Sequence, residues 1–326
     1  MITDEGIFTV SLDFELYWGV RDKRTIRQYA NNLLGVRNAV KEILMAFRDY
    51  DIHATWAVVG FLFFQDADSL RKNFPGRLPH YVNPSLSPYL YINGSDTLET
   101  IYHFAPEMID LICEYDNQEI GTHTFSHYYC LEMGQDPESF YMDISSAMKV
   151  SENRGLKLRS LVFPRNQCNP EFLSILADLG IKCYRGNESG WLYSVVSRED
   201  ENGLKRVLRL TDAYVNISGH NTHSLHEVLS EKPFNIPSSR FLRPYSGKLF
   251  WLENLRLQRI KKAMSYAAKH GTIFHLWWHP HNFGIDTAEN IAFLRSVLEH
   301  YKVLKEKHSM RSLNMHEIAD LIEKSL

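Results

Sequence analysis

The 326-residue sequence predicts an α/β fold built on a parallel sheet, either closed as a barrel or open and doubly wound. Two observations carry this reading. Short apolar, β-branched runs alternate with longer segments whose apolar residues recur at helical spacing. Polar residues suited to chemistry stand at the ends of those runs, where parallel α/β folds gather their active groups.

The elements follow in order. Residues 7–15 (IFTVSLDFE) form an apolar, β-branched run ending in acids, the pattern of a buried strand. Residues 25–52 place Leu33, Val36, Val40, Ile43, Leu44 and Phe47 at helical intervals, and 53–60 (HATWAVVG) reads as a second strand. Strand, helix and strand within about sixty residues make a βαβ unit, which implies parallel pairing. The pattern then dissolves in a first irregular insertion at about 65–102, rich in Pro, Asn, Ser and Tyr. A loop of that length inside a compact domain is usually functional or disordered, and its tyrosines favour an ordered loop that lines a groove.

The alternation resumes with helices near 105–116, 137–155 and 170–180 and strands at 118–123, 159–164 and 181–185. A second irregular insertion covers about 186–247. The chain closes with a helix at 250–271, a strand at 272–279 (TIFHLWWH), a helix at 286–307 and a short helix near 314–324. No internal repeat is present, so the expected organisation is one catalytic domain spanning 1–326.

Composition narrows the function classes. With 44% hydrophobic and 13% aromatic residues, the chain can bury a large core. A net charge of -3 spread over interspersed charges leaves no broad basic face, which argues against nucleic acid as a partner. Cys113, Cys130, Cys168 and Cys183 stand far apart, so neither a disulfide framework nor a cysteine zinc site is expected. The N-terminus is acidic where a signal peptide would be basic, and no apolar run reaches the roughly 18 residues of a membrane span. The expected location is the cytoplasm.

The chemistry centres on 121–127 (GTHTFSH). Spacing alone decides nothing there, because fifteen histidines in 326 residues give about 0.7 of a chance pair four apart. Position decides more. Asp13 and Glu15 end the first strand, His123 ends the third, Arg165 follows the fourth, and His279 ends the last. Taken singly, solvated strand-end acids and a core histidine explain Asp13, Glu15 and His279 better than chemistry does, and a loop arginine explains Arg165 equally well. Together, in this order, they indicate convergence. Two neutral imidazoles, His123 and His127, with one of Asp13 or Glu15 suit a divalent ion such as zinc. An ion so held lowers the pKa of its water towards about 7 and polarises a carbonyl, while the second carboxylate takes the water's proton and His279 protonates a leaving amine. His275 cannot share that ion easily with His279, since four strand residues span about 13 Å.

The motifs 11–15 (SLDFE), 121–127 (GTHTFSH), 163–167 (FPRNQ) and 276–279 (LWWH) resemble, in order and approximate spacing, those of polysaccharide deacetylases, the NodB-homology carbohydrate esterases. The resemblance implies a distorted (β/α) barrel of about seven parallel strands binding one divalent metal ion, zinc or else cobalt, nickel or manganese. It implies Asp13 as base, His123 and His127 as ligands, His279 as general acid, and Arg165 holding the base ionised. Phe14 stands where the family has a second aspartate, so Glu15 becomes the third ligand in an acid-x-acid version, on the same side of the strand as Asp13. Arg165 departs too, following its proline instead of preceding it. Trp191 is the candidate wall of the acyl pocket, and His281 a substrate contact or an alternative to His279. The implied reaction removes an N-acetyl or other acyl group from a sugar, in cell-surface polysaccharide or glycan-precursor synthesis. The competing readings are an amidase or cyclic imidase, and a non-catalytic carbohydrate-binding protein on the same fold.

Overall fold

The computed structural model describes residues 5–95, 97–188, 192–193, 203–228 and 231–325. At its centre runs a parallel sheet of β1 (Ile7–Phe14), β2 (Ala54–Val58), β3 (Gln118–Thr122), β4 (Ser160–Val162), β5 (Cys183–Arg185), β6 (Phe234–Asn235), β7 (Arg240–Phe241), β8 (Ile273–Trp278) and β9 (Arg311–Ser312). The order is β6-β5-β4-β3-β2-β1-β8-β7, with β9 paired to the start of β1. All six strands expected from the apolar runs are present, and every ladder between them is parallel.

One chain segment supplies both edges of this sheet. The Ile236 N–H donates to Tyr184 O at 2.9 Å as β6 lies beside β5. Three residues on, the Ser239 N–H donates to His275 O at 2.8 Å, and the Leu242 N–H to Trp277 O at 2.7 Å, as β7 lies beside β8. Counted once, that segment joins β1 to β5 and β8 as the seventh stave of a distorted (β/α) barrel. Residues 234–242 of the second irregular region are therefore part of the barrel, not only an insertion upon it. Their strands escaped the sequence reading because each is two residues long and prolines flank them, which leaves no periodicity.

Helices cover the outside. The helix Ile26–Tyr50 starts with a capping box between Thr25 and Gln28, buries the six apolar residues its spacing predicted, and stops at Asp51 in the left-handed region (φ 54). Gly35 lets its backbone approach the turn after β8, because a Cβ there would lie 1.8 Å from Gly284 O. That contact allows Tyr29 to donate to Asn282 Oδ1 at 3.1 Å and Asn32 to donate to His281 O at 3.2 Å, which fixes the turn carrying His279 and His281.

Candidate active site

Strand β1 delivers the two acids. Asp13 lies within the strand and Glu15 one residue past its end, and both are buried. After β3 the chain turns sharply to bring both histidines to the same place. Thr124 (φ 64) and His127 (φ 58) adopt left-handed backbone, unfavourable for a β-branched threonine. The surroundings enforce it: the Gly60 N–H donates to Thr124 O at 2.9 Å, and the Tyr128 N–H to Thr124 Oγ1 at 2.7 Å. Fully buried Asp143 accepts the N–H groups of Phe125 (2.7 Å) and Ser126 (3.2 Å) and the Ser126 hydroxyl. Burial pushes its carboxyl up to about 7 despite those donors. From behind, the buried Tyr81 hydroxyl accepts the Tyr129 N–H at 3.0 Å. The tyrosine-rich insertion thus braces the histidine turn instead of lining a groove.

Glu15, His123 and His127 each offer a ligand atom within 4.8 Å of the others. Glu15 Oε2 stands 3.2 Å from His123 Nε2 and 3.0 Å from His127 Nε2. The His123 Nδ1–H donates to Val162 O at 2.8 Å, which fixes the tautomer and leaves the Nε2 lone pair facing the cluster. That Nε2 is buried without a hydrogen-bond partner, the condition of a donor atom suited to a cation. Burial pushes His127 down to about 4 against its hydrogen bond to Glu15, so it is neutral at pH 7. Burial would raise Glu15, yet His279, His123 and His127 hold it well below the usual carboxylate range. Gly19 makes room for that carboxylate, because a Cβ there would sit 1.9 Å from Glu15 Oε1. Two neutral imidazoles and an ionised carboxylate fit a divalent cation.

The guanidinium beside Asp13 is Arg185, not Arg165. Arg185 donates from Nη1 to Asp13 Oδ1 at 2.7 Å and from Nη2 to Oδ2 at 2.8 Å, and further to Ser11 Oγ (3.0 Å) and Asn166 Oδ1 (2.9 Å). Its planar face lies over Trp277, 4.1 Å from the ring centre. Burial works to raise the Asp13 carboxyl, but Arg185, with His123 and His279, holds it below its usual range. Arg165 is committed elsewhere, hydrogen-bonded to Asp22 and stacked over Tyr129 at 4.0 Å. The sequence did carry the signal, since Arg185 ends the predicted strand 181–185 by the rule that picked out the other site residues.

His279 Nε2 lies 3.7 Å from Asp13 Oδ2 and 3.6 Å from Glu15 Oε1, with its side chain 24% exposed. It is the accessible histidine of its pair. His281 stacks on it at 5.1 Å but is buried, and burial, then the His279 charge, push its pKa to about 3. A neutral His281 keeps one N–H and can position a group by donating or accepting a hydrogen bond, whereas it lacks the imidazolium proton that a general acid gives. Trp191 lies outside the described residues. The tryptophan found at the site is Trp277, whose Nε1–H donates to Glu188 Oε1 at 3.2 Å and whose ring packs on Phe241 at 4.7 Å. It shares the barrel-facing side of β8 with His275 and His279, as the two-residue alternation of 275–279 permits. His275 lies deeper, bonded through Nε2 to Ser11 Oγ at 2.8 Å.

These groups open into a cavity of about 510 Å³ lined by Asp13, Glu15, His127, His279, His281 and Trp277 among others. Arg165 reaches its wall too. The volume suits a sugar-sized ligand.

The family model for polysaccharide deacetylases matches residues 31–184, which include both His123 and His127. Among solved structures, a Mycobacterium smegmatis protein described as a polysaccharide deacetylase aligns over 100% of this chain and 93% of its own at 11% identity, with a TM-score of 0.60. One so described from Pseudomonas aeruginosa PAO1 aligns over 98% and 92% at 12% identity and a TM-score of 0.58. The Puue allantoinase aligns over 100% and 93% at 11% identity and a TM-score of 0.56. At these identities the likeness is one of fold. No curated protein matches the sequence.

Proposed function

We propose that the chain, whose residues 31–184 match the family model for polysaccharide deacetylases, is a divergent member of that family and removes an N-acetyl or other acyl group from a sugar with the help of one divalent metal ion. The observation that carries this reading is the convergence of the Glu15–His123–His127 set, the Asp13–Arg185 pair and His279 on one cavity.

Glu15, His123 and His127 would hold the ion. When bound, it supplies Lewis acidity for the amide carbonyl and for the attacking water. Asp13, kept ionised by Arg185, takes the proton of that water. His279, 3.7 Å from Asp13 and partly exposed, gives a proton to the departing amine nitrogen. Trp277 and Phe241 form the apolar part of the wall, and a flat ring stacked there suits a pyranose face or an acyl methyl.

The substrate is proposed to be a glycan precursor met in the cytoplasm. All four thiols are free, which fits a reducing compartment. No helix of the described residues is long and apolar enough to cross a membrane.

The experiment pairs elemental analysis with acetate release. Close to one zinc, cobalt, nickel or manganese per chain is expected, lost in the His123→Ala, His127→Ala double variant, together with release from at least one acylated sugar. A metal-free protein that releases nothing from a panel of acylated sugars would overturn the reading. Cyclic amides belong in the same panel, because their turnover would redirect it to ring-opening hydrolysis.

A further inference from the structure

The cavity that holds Asp13 and His279 is also lined by Lys23, Arg209, Arg240 and Arg243. The three arginines belong to the second irregular region, which contributes nothing to the acid and histidine set. Around Arg240 and Arg243 the neighbours leave positive charge in excess. Buried Asp212 takes Arg240 at 3.2 Å and Arg259 at 3.6 Å, and accepts from the hydroxyls of Tyr193 (2.7 Å) and Ser218 (2.8 Å). Arg256 is taken by Glu253 and by the Arg243 carbonyl. One carboxylate therefore serves two guanidiniums, and Arg243 has no carboxylate partner among the described residues.

Arg240 is 5% exposed, and its Nε and Nη2 are buried without a hydrogen-bond partner. Burial lowers Arg243 and Arg259, and the Arg240 charge adds to the fall of Arg259 to about 10. A desolvated guanidinium is costly unless paired, so two kept on one cavity wall, Arg240 and Arg243, mark a surface built for an anion. A lone carboxylate is satisfied by one forked guanidinium. Arg240 and Arg243 together match the several oxygens and double charge of a phosphate. Asp13 and Glu15, which line the same cavity, repel such a group, so the two sets of charges together orient a ligand.

We propose that the substrate carries a phosphate or diphosphate, bound by Arg240 and Arg243 with Arg209 and Lys23 alongside, while its acylated end reaches Asp13 and His279. This deepens the acyl-sugar reading and rests on it for which end reacts. The anion site itself stands on the arginines.

The test uses the full-length protein as purified, with Arg243→Gln, Arg243→Lys as the charge-retaining variant, and Lys248→Gln as an exposed control outside the cavity. Calorimetric binding of inorganic pyrophosphate should weaken about tenfold or more in Arg243→Gln, recover in part in Arg243→Lys and be unaltered in Lys248→Gln, as expected for a lost charge-assisted hydrogen bond. In acetate release, the preference in kcat/KM for a phosphorylated acetylated sugar over its neutral counterpart should fall by a similar factor. Two phosphorylated probes identify the source: UDP-N-acetylglucosamine presents a nucleotide, and N-acetylglucosamine on a decyl phosphate in micelles presents a lipid carrier. Turnover of either one that depends on Arg243 supports the site. Pyrophosphate binding indifferent to Arg243, or equal turnover of neutral and phosphorylated sugars by wild type and Arg243→Gln, overturns it and leaves the hydrolase intact. Arg243-dependent pyrophosphate binding with no acetate released from any probe keeps the anion site and overturns the acyl-sugar reading.

Discussion

Replacing Arg185 with methionine tests the electrostatic design of the site. Arg185 is 1% exposed and Asp13 3%, and two charge-assisted bonds of 2.7 and 2.8 Å join them. At about 1.5–3 kcal/mol each, those bonds sum to about 3–6 kcal/mol. Breaking a buried pair by removing one partner costs about 3–5 kcal/mol, in agreement. The loss has a pH signature. Asp13 sits below its usual 3.8 in the folded protein, so its pairing stabilises the fold above that pH, and the benefit is lost as pH falls through the lowered value. In Arg185→Met the penalty at pH 7 should therefore shrink towards pH 3.5, because the buried Asp13 of the variant, without its partner, takes up a proton there. Urea unfolding at pH 7 and pH 3.5 measures the two penalties. The acid limb of kcat/KM should move to higher pH at the same time, because Asp13 without its partner keeps its proton longer. Equal destabilisation at both pH values, with an unmoved acid limb, would refute Arg185 as the group holding Asp13 ionised.

Other outcomes follow from the same geometry. Asp143→Asn should cost about 2–3 kcal/mol by weakening the anchor of the histidine turn. Asp143 is raised to about 7, so the folded protein binds the extra proton and loses stability as pH rises from about 4 to 7. Unfolding across that range should show a flatter slope in the variant. Gly19→Ala drives a methyl into the Glu15 carboxylate and should weaken metal affinity about tenfold or more, read by competition with a chelating dye, with little change in unfolding. Residues 234–242 should exchange amide protons sooner than β1, β2 and β8, as mass spectrometry of deuterated fragments would show, because their strands are two residues long.

How much was legible follows from the length of the elements. The helix Ile26–Tyr50 repeats its apolar stripe over twenty-five residues, and β1 and β8 carry runs of eight and six, so periodicity had enough residues to speak. β6 and β7 are placed by hydrogen bonds to β5 and β8, long-range partners that no local pattern announces. Glu15, His123 and His127 were found because strand-end position and residue type agree in sequence. Arg185 satisfied the same positional rule and was overlooked. Arg165 was put beside Asp13 by resemblance, but its left-handed backbone (φ 55) turns it to Asp22 and Tyr129, a direction that sequence does not reveal. Arg240 and Arg243 lay in a stretch without periodicity, so nothing singled them out.

The seventh stave divides the molecule's labour. Bond-breaking groups ride on β1, β3, β5 and β8, which neighbours grip along both sides, whereas the guanidiniums of Arg240 and Arg243 ride on a segment held by a handful of amide bonds. Sequence drift at 234–243 can therefore reset which molecules are admitted while leaving the reaction untouched. The reverse route is closed, since any change at Asp13 or Glu15 disturbs two packed strands and the cluster of His123, His127 and His279 together. In this chain, selectivity is the part written in pencil.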